Sequence, residues 1–165
     1  IEQVSGRGKS INSILEKMQR KNISWEELEE KVEDIAGIRI ICQFEEDIDT
    51  VAAIIQKRTD MTIKSEKNYL KHIKQSGYRS YHLIIYYTVE TINGPKKIQA
   101  EIQIRTNGMD FWATLEHQLR YKQDIEEMDG YEEVSSELLN CARAVIDMDN
   151  EMQRIKDKIG RFHDI

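Results

Sequence analysis

The sequence is poor in the residues that mark several classes of protein. Its 165 positions include one proline and two cysteines, and Cys42 and Cys141 lack the spacing of a metal-binding module. Both cysteines lie in apolar contexts, and this usage favours a reducing, cytoplasmic location. A chain of this length can bury a sufficient core without disulfides, so we expect one folded core.

Long apolar runs are absent as well. No stretch approaches the roughly 18 apolar residues of a membrane-spanning helix, and no signal-peptide core is visible, so we expect no membrane segment. The first residue is Ile rather than Met, and native residues are therefore expected before it. The net charge of -6 argues against a general nucleic-acid binder, although two local basic clusters remain.

The most informative segment covers residues 97–117. Its first part alternates, which predicts a strand that buries its isoleucines on one face. The other face then carries Glu101, Gln103 and Arg105 in one row, spaced about 7 Å apart by the rise of a strand. By itself, this segment is equally consistent with an amphipathic strand whose polar face is only solvated. A helix is predicted next, with Phe111, Leu115 and Leu119 on one face.

The chain opens with a basic helix, predicted from an apolar stripe formed by Ile11, Ile14, Leu15 and Met18. Arg7 and Lys9 precede it, so free N–H groups and cations together could hold an anion there. A solvated basic helix is the alternative interpretation. A second helix is predicted over residues 24–34, where Ser24 and Glu27 can form a capping box.

Residues 34–44 predict a mostly buried strand, with Asp34 just before it and Arg39 on its less apolar side. A third helix is predicted over residues 47–58, with a core face of Ile48, Val51, Ala52 and Ile55. The segment 61–76 is rich in lysine and fits neither period, which predicts a flexible basic loop.

An antiparallel hairpin is predicted from residues 78–91 and 96–106. Both segments are rich in β-branched residues, the first also in aromatics, and the sequence Asn-Gly-Pro at 93–95 is a turn signal between them. The hairpin is expected to bring together two groups of polar side chains, Tyr78, Ser80 and His82 with Arg105, Gln103 and Glu101.

The last predicted element is a long helix with a heptad seam. Its apolar positions are Val134, Leu138, Cys141, Val145, Met148, Met152, Ile155 and Ile159. This stripe is narrower than the face of an ordinary core helix, so it suits packing against another helix. The partner is either an intrachain helix, most simply residues 11–20, or a second copy of the chain.

Acids and cations together point to phosphate chemistry. Asp34 and Glu101 stand at strand-associated positions among several basic residues, namely Arg7, Lys9, Arg39, Lys67, Lys74 and Arg105. Carboxylates suit Mg²⁺, and arginine and lysine suit phosphate oxygens. There is no Walker loop, dinucleotide-binding glycine motif or kinase catalytic loop. A phosphoryl-transfer site of another type is therefore the first enzymatic hypothesis.

Five motifs occur in order over residues 5–122: GRGKSINSILEKM, DIAGIRI, SGYRSYH, EIQIRT and GMDFWATLEHQLRYK. They resemble the synthetase domain of the RelA/SpoT family, and particularly its stand-alone small alarmone synthetases. The resemblance implies an α+β fold, in which helices wrap a mixed β-sheet similar to that of nucleotidyltransferases. It also implies transfer of the pyrophosphoryl group of ATP to the 3′-hydroxyl of GTP or GDP, giving AMP and (p)ppGpp.

The same resemblance implies roles for individual residues. Asp34 and Glu101 would hold Mg²⁺ on the ATP phosphates, and Glu101 is also the candidate base for the acceptor hydroxyl. The expected ATP-binding residues are Arg7, Lys9, Ser13, Lys17 and Arg39. The expected acceptor-binding residues are Lys67, Lys74, Tyr78, His82, Gln103, Arg105, Asp110 and Glu116, with Tyr78 stacking on guanine.

Two departures from the family pattern leave questions open. Residues 65–68 read Ser-Glu-Lys-Asn, which fits neither signature that larger relatives use for acceptor preference. Asp110 stands where many small synthetases of one subgroup have asparagine. The preference for GTP or GDP and the subgroup are therefore not predicted.

The resemblance also bears on domains and partners. Residues 1–125 are expected to form the catalytic domain, and residues 126–165 a helical extension that assembles a homo-oligomer, with a tetramer favoured. An alarmone or RNA regulator is a further expected partner. The competing function is a non-catalytic nucleotide- or RNA-binding regulator that retains the fold.

Overall fold

A computed structural model describes residues 1–123 and 129–163 of the chain. Its strands are β1 (Gln3–Gly8), β2 (Ala36–Cys42), β3 (Met61–Asn68), β4 (Tyr81–Thr91) and β5 (Gly94–Thr106). Its helices are α1 (Ile11–Lys21), α2 (Leu28–Lys31), α3 (Glu45–Gln56), α4 (Asn107–Gln123) and α5 (Tyr131–His163). The strands form one mixed sheet in the order β1-β2-β5-β4-β3. Among the strands in the described residues, only β2 and β5 are parallel neighbours, and the predicted α+β class is confirmed.

The two faces of the sheet have different neighbours. Alternate residues of β2, β4 and β5 pack under α3 and form the main core, whose buried aliphatic members include Ile40, Leu83, Ile85, Ile102 and Ile104. The intervening residues of the same strands form a polar face. β5 is the central strand, and the predicted antiparallel hairpin with β4 is confirmed. β4 begins at Tyr81 rather than at residue 78, and β5 begins at Gly94 rather than at residue 96.

The helix boundaries follow local chemistry. Ser10 caps α1, because its hydroxyl accepts a hydrogen bond from the N–H of Ser13 at 3.2 Å. The predicted core face of the third helix is confirmed, since Ile48, Val51, Ala52 and Ile55 are all buried. That helix begins two residues earlier than predicted, at Glu45, where three acidic residues fill its first turn and suit the helix dipole.

Three elements differ from what the sequence predicted, namely β3, β1 and α2. Residues 61–68 are not a flexible loop but strand β3, whose lysines are accommodated because it lies at the sheet edge. A bulge between Ile63 and Ser65 breaks its register with β4, which obscured the alternation. Residues 3–8 form an edge strand that was not predicted, because they are mostly polar or glycine.

The second helix is much shorter than predicted. Glu27 accepts the backbone N–H of Ser24 at 3.2 Å, which is half of the expected capping box, and the helix covers only residues 28–31. Val32 then leaves the helix in an extended conformation and is buried with Met18 and Ile23. Burial of Val32 against α1 therefore outweighs the local preference for helix.

Helix α5 packs against α4 and not against α1. Ala142 is buried with Trp112 and Ala113, and the indole N–H of Trp112 donates to the carbonyl of Leu138 at 3.2 Å. The predicted intrachain partner, residues 11–20, was therefore wrong. The predicted domain boundary between residues 125 and 126 lies outside the described residues. No helix in the described part of the chain is long and apolar enough to cross a membrane.

Candidate active site

A cleft of about 720 Å³ opens on the polar face of the sheet. Its walls come from β1, β2, β5, α1, α4 and the segment that precedes β4, and they include Arg7, Asp34, Arg39, Lys74, Tyr78 and Arg105. An adjoining cavity is lined by Asp34, Glu101 and Gln103 together with the two arginines of β1 and β2. Predicted site residues from five distant segments therefore meet in one place.

Strand register explains this convergence. Arg39 of β2 lies opposite Gln103 of β5, and Gln103 lies opposite His82 of β4. Directly paired residues point to the same face of a sheet, so these three side chains form a row across it. Arg7 joins the same face through its pairing with Gly37. The polar row predicted on one strand is thus extended over four strands.

Asp34 forms ion pairs with two of the cations that were predicted to bind ATP, Lys9 and Lys17. Its two carboxylate oxygens accept from Lys9 at 2.8 Å and from Lys17 at 2.7 Å. Partial burial raises the pKa of Asp34, but the hydrogen bonds and charges of Lys17 and Lys9 outweigh it and lower the pKa from 3.8 to about 2. Asp34 is therefore ionised at any physiological pH, and it holds both lysines beside the cleft.

Glu101 is held at both of its carboxylate oxygens. Oε1 lies 2.9 Å from Nδ1 of His82, and Oε2 accepts from the amide of Gln103 at 2.8 Å. Burial raises the pKa of Glu101, but these hydrogen bonds outweigh it, and the pKa lies below its ordinary value. The carboxylate is ionised and oriented at the centre of the polar face.

Arg105 is buried and connects Tyr78 with Gln103. It donates to the hydroxyl of Tyr78 at 2.6 Å and to the side-chain oxygen of Gln103 at 3.0 Å. Asp110 bridges Arg105 and Arg39, at 3.0 Å and 3.2 Å respectively. Burial and the nearby charge of Arg105 lower the pKa of Arg39, and Asp110 opposes this effect. Asp110 thus screens two arginines from each other.

The residues predicted for the acceptor nucleotide lie around aromatic rings. The ammonium group of Lys74 lies 4.8 Å from the ring centre of Tyr78 and 4.6 Å from that of Tyr69. The edge of Tyr69 also contacts His82, with ring centres 5.2 Å apart. Lys67 forms an ion pair with Glu33 at 2.5 Å, and its strand position is opposite His82.

Not every predicted residue reaches the cleft, and some contributors were missed. Glu116 lines the cleft on α4 as expected. Ser13 contacts Ser10 in the cap of α1. Six predicted residues line neither cavity, namely Lys9, Ser13, Lys17, Lys67, His82 and Asp110. Arg20 and His117 line the cleft and were not predicted as site residues. Tyr69 and Glu33, which contact His82 and Lys67, were not predicted either. The acid beside Asp34 was a signal for Glu33, but Tyr69 lies in the irregular segment after β3, where no periodicity marks it.

The carboxylates of the site can be compared with the ligands that a metal ion needs. Among the described residues, no group of three or more His, Cys, Asp or Glu side chains could hold one. Asp34 and Glu101 do line the same cavity. Mg²⁺ is usually bound by one or two protein carboxylates and completed by substrate phosphates and water, so two carboxylates fit a hard cation that arrives with a nucleotide.

Two ionised carboxylates and many cations on one face of a mixed sheet define a nucleotidyltransferase-like site for phosphate-group transfer. Comparison with known proteins identifies the family. A family model described as the region found in RelA/SpoT proteins matches residues 6–126. The chain therefore belongs to the RelA/SpoT family.

Individual relatives are similar over nearly the whole chain. GTP pyrophosphokinase YjbM of Bacillus subtilis is 43% identical over 159 residues, covering 96% of this chain and 74% of the relative. A GTP pyrophosphokinase family protein from Streptococcus pneumoniae is 50% identical, with a TM-score of 0.89 over 96% of this chain and 77% of that protein. The structure of small alarmone synthetase 1 from Bacillus subtilis bound to its product pppGpp is 43% identical, with a TM-score of 0.90 over 96% and 80%.

Proposed function

We propose that this protein transfers the pyrophosphoryl group of ATP to the 3′-hydroxyl of GTP or GDP, producing AMP and (p)ppGpp. The observation that carries this proposal is the cleft in which Asp34, Glu101 and a ring of cations meet. The relative whose structure is described as bound to its product pppGpp supports the class of acceptor. The sequence motifs support ATP as the pyrophosphoryl donor, because they resemble those of synthetases that use ATP.

The proposed reaction needs positioning and charge more than covalent chemistry by the protein. The acceptor 3′-oxygen forms a bond to the β-phosphorus of ATP, and the bond from that phosphorus to the α,β-bridging oxygen breaks. The bridging oxygen leaves with AMP. Glu101 accepts the proton of the 3′-hydroxyl, for which it is ionised and held by His82 and Gln103. Cations of the cleft offset the charge that develops on the leaving group.

Asp34 and Glu101 are the proposed ligands of Mg²⁺ that accompanies ATP. When bound, the metal ion neutralises phosphate charge and orients the pyrophosphoryl group. Lys9 and Lys17, which contact Asp34, lie where they can also pair with phosphate oxygens. The oxygen ligands and the cations beside them support this assignment.

The two nucleotides are assigned to opposite sides of Glu101. Arg7 and Arg39 serve ATP, because a guanidinium both pairs with phosphate and stacks on adenine. Tyr78 stacks on the acceptor base, and the acceptor side further includes Lys67, Lys74, His82, Gln103, Arg105, Asp110 and Glu116. Ser13 belongs to the ATP side as part of the α1 cap. We further propose that the protein assembles as a homotetramer and is located in the cytoplasm. Its proposed regulator is an alarmone or an RNA.

A direct assay tests the reaction. The protein is incubated with ATP, MgCl₂ and either GTP or GDP, and the nucleotides are resolved by anion exchange. We expect AMP and a guanosine penta- or tetraphosphate in equal amounts, and no product in excess EDTA. The ratio of rates with GTP and GDP measures the acceptor preference. Nucleotide binding without AMP formation would instead support the non-catalytic regulator.

Two substitutions test the assignment of the carboxylates. Glu101→Gln and Asp34→Asn should each lower turnover by about 10²-fold or more, comparable to loss of a preorganised transition-state contact. Glu90→Gln is the matched control, because it makes the same chemical change at an exposed position of β4. Near-normal turnover of Glu101→Gln would overturn the role given to Glu101.

A further inference from the structure

Five side chains on the polar face close a ring of hydrogen bonds. Arg105 contacts Tyr78 at 2.6 Å, Tyr78 contacts Nε2 of His82 at 2.9 Å, and Nδ1 of His82 contacts Glu101 at 2.9 Å. Gln103 closes the ring, because it donates to Glu101 at 2.8 Å and accepts from Arg105 at 3.0 Å. Each member belongs to the segment before β4, to β4 or to β5.

The chemistry of two members determines the direction of every hydrogen bond. A guanidinium has no acceptor atom, so both contacts of Arg105 are donations. An ionised carboxylate has no donor, so both contacts of Glu101 are acceptances. Gln103 must therefore present its oxygen to Arg105 and its NH₂ group to Glu101. This removes the usual ambiguity of an amide side chain.

The same reasoning assigns the proton on His82. Because Glu101 only accepts, Nδ1 of His82 carries the hydrogen. In neutral imidazole Nε2 is then an acceptor, and it lies 2.9 Å from the hydroxyl of Tyr78. The oxygen of Tyr78 accepts from Arg105, which leaves its hydroxyl hydrogen for Nε2. Arg105 and Tyr78 thus select the Nδ1–H tautomer of His82 from one end, and Glu101 selects it from the other.

Packing holds the ring in place. Arg105 is 5% exposed and His82 is 7% exposed, so little water reaches either group to compete for these hydrogen bonds. Asp110 and the hydroxyl of Ser80 accept two further donors of Arg105, at 3.0 Å and 3.3 Å. Tyr69 makes T-shaped ring contacts with both Tyr78 and His82.

We propose that Arg105, the hydroxyl of Tyr78, His82 and Gln103 are positioning residues that orient the carboxylate of Glu101 through the Nδ1–H tautomer of His82. The terminal torsion of a glutamate is otherwise broad, and donors at both oxygens confine it. Tyr78 then has two separable functions, stacking through its ring and tautomer selection through its hydroxyl. The inference rests on the proposed function of Glu101.

The first test reads the tautomer directly. Long-range ¹H–¹⁵N correlation spectra of the imidazole rings, recorded on full-length ¹⁵N-labelled protein at pH 8, distinguish Nδ1–H, Nε2–H and doubly protonated histidine. The chain has four histidines, and the signal that disappears in His82→Asn identifies His82. We expect Nδ1–H in the wild type and a shift toward Nε2–H in Tyr78→Phe. An Nε2–H or doubly protonated ring in the wild type overturns the proposal.

The second test separates the hydroxyl of Tyr78 from its ring. Tyr78→Phe keeps the aromatic face, so the KM for the acceptor nucleotide should stay within about twofold, whereas kcat should fall about 10- to 100-fold, the usual loss for a residue that orients a functional ligand. Tyr87→Phe, at a half-exposed position of β4, is the matched control. A wild-type kcat in Tyr78→Phe, or a loss confined to KM, contradicts the inference.

A double variant tests whether Tyr78 acts through His82. The amide nitrogen of asparagine can replace Nδ1 as a donor to Glu101, so His82→Asn should retain more kcat than His82→Leu. Tyr78→Phe should have no further effect in the His82→Asn background, since no tautomer remains to be selected. Additive losses would overturn the proposal. The NMR measurement reads the tautomer of His82 without any turnover, whereas Glu101→Gln tests the proposed function through turnover. A failure of this inference can therefore be distinguished from a failure of the proposed function.

Discussion

At the scale of single residues, the site separates into groups that are ready to bind and groups that must first be released. Glu101 is already oriented, whereas Lys9 and Lys17 are engaged by Asp34 and Arg39 is engaged by Asp110. A nucleotide that binds must therefore compete with these carboxylates for the same cations. Asp110 is the clearest case, because it contacts both Arg39, which is assigned to ATP, and Arg105, which is assigned to the acceptor.

Replacement of Asp110 by asparagine should affect stability and ATP binding in opposite directions. Asp110→Asn removes the charge that screens Arg39 from Arg105, so the melting temperature should fall. The same change frees Arg39 for phosphate, and the KM for ATP should decrease about two- to fivefold, in line with a partly exposed ion pair worth up to about 1 kcal/mol. Thermal unfolding and initial-rate kinetics measure both effects. An increase in the KM for ATP would show that Asp110 assists ATP binding.

The two nucleotide sites should respond to different substitutions. Base stacking on an aromatic side chain contributes about 1–3 kcal/mol, so Tyr78→Ala should raise the KM for the acceptor about 5- to 150-fold and leave that for ATP nearly unchanged. Arg39→Ala should have the reverse effect. Unlike Tyr78→Phe, Tyr78→Ala removes the stacking face as well as the hydroxyl. A Tyr78→Ala enzyme that loses ATP affinity instead would mean that the pockets are exchanged.

At the scale of elements, α5 packs against the segments that carry Tyr78 and Asp110. Gly77, which precedes Tyr78, has a φ of +89°, and a Cβ there would lie 2.4 Å from Cβ of Ala142. A Cβ at Gly108, near the start of α4, would lie 2.9 Å from Val145 and Asp149. The backbone at Gly77 and Gly108 therefore approaches α5 closely, and a larger residue at Ala142 would have no space. Two segments that line or flank the cleft thus pack against a helix outside the five motifs.

Enlarging Ala142 should disturb Tyr78 at a distance from the cleft. Ala142→Val adds volume where Gly77 leaves no space, and overpacking of this kind costs about 1–3 kcal/mol of stability. We expect a lower melting temperature together with a higher KM for the acceptor. Ala144→Val, on the exposed side of the same helix, is the control and should change neither quantity. Loss of stability with an unchanged KM would show that Gly77 and Tyr78 move independently.

Asp149 should make the docking of α5 dependent on pH. It accepts from the hydroxyl of Thr106 at 2.7 Å, but burial raises its pKa above the ordinary value of 3.8. The folded state therefore binds the proton of Asp149 more tightly than the unfolded state does. The contribution of Asp149 to stability decreases as the pH rises from its unfolded pKa toward its higher folded pKa. Asp149→Asn keeps an acceptor for Thr106 and removes the charge. Urea titrations at pH 4 and pH 7 measure the free energy of unfolding of both proteins. Relative to the wild type, the variant should be more stable at pH 7 than at pH 4. The same difference in unfolding free energy at both pH values would contradict this prediction.

At the scale of the whole molecule, the predicted heptad seam divides into two parts. Leu138 and Val145 are half-buried on the side that faces α4, so acidic substitutions there would damage intrachain packing. Farther along α5, four seam residues are about half exposed or slightly less, namely Met148, Met152, Ile155 and Ile159. This second part is the surface that suits a second copy of the chain.

Self-association should therefore depend on the second part of the seam. Met152→Asp combined with Ile159→Asp should shift the protein to a monomer, because each buries a charge in a contact between chains. Asn140→Asp combined with Asn150→Asp adds the same charge at exposed positions outside the seam and should leave the oligomer intact. Light scattering coupled to size exclusion measures the mass, with circular dichroism as the folding control. A monomeric wild type would contradict self-association.

Local patterns were sufficient for the central strand, its hairpin with β4 and the core face of α3. In each, side-chain alternation or helical spacing is strong over many residues, and burial of one face decides the outcome. The same patterns failed for β1, β3 and α2. These edge or short elements are polar, and their pairing or ending is determined by neighbours distant in sequence.

The amino-acid sequence by itself determined the chemistry of this protein: which acids, cations and aromatic rings are available, in which motifs, and on which face of the central strand. Only the tertiary structure decided how those groups act on one another. The parallel pairing of β2 with β5 aligns Arg39 with Gln103, and the hairpin register places His82 against Glu101. A tautomer, a shared carboxylate and a helix docked on Gly77 are properties of distances between segments, and no single segment encodes them.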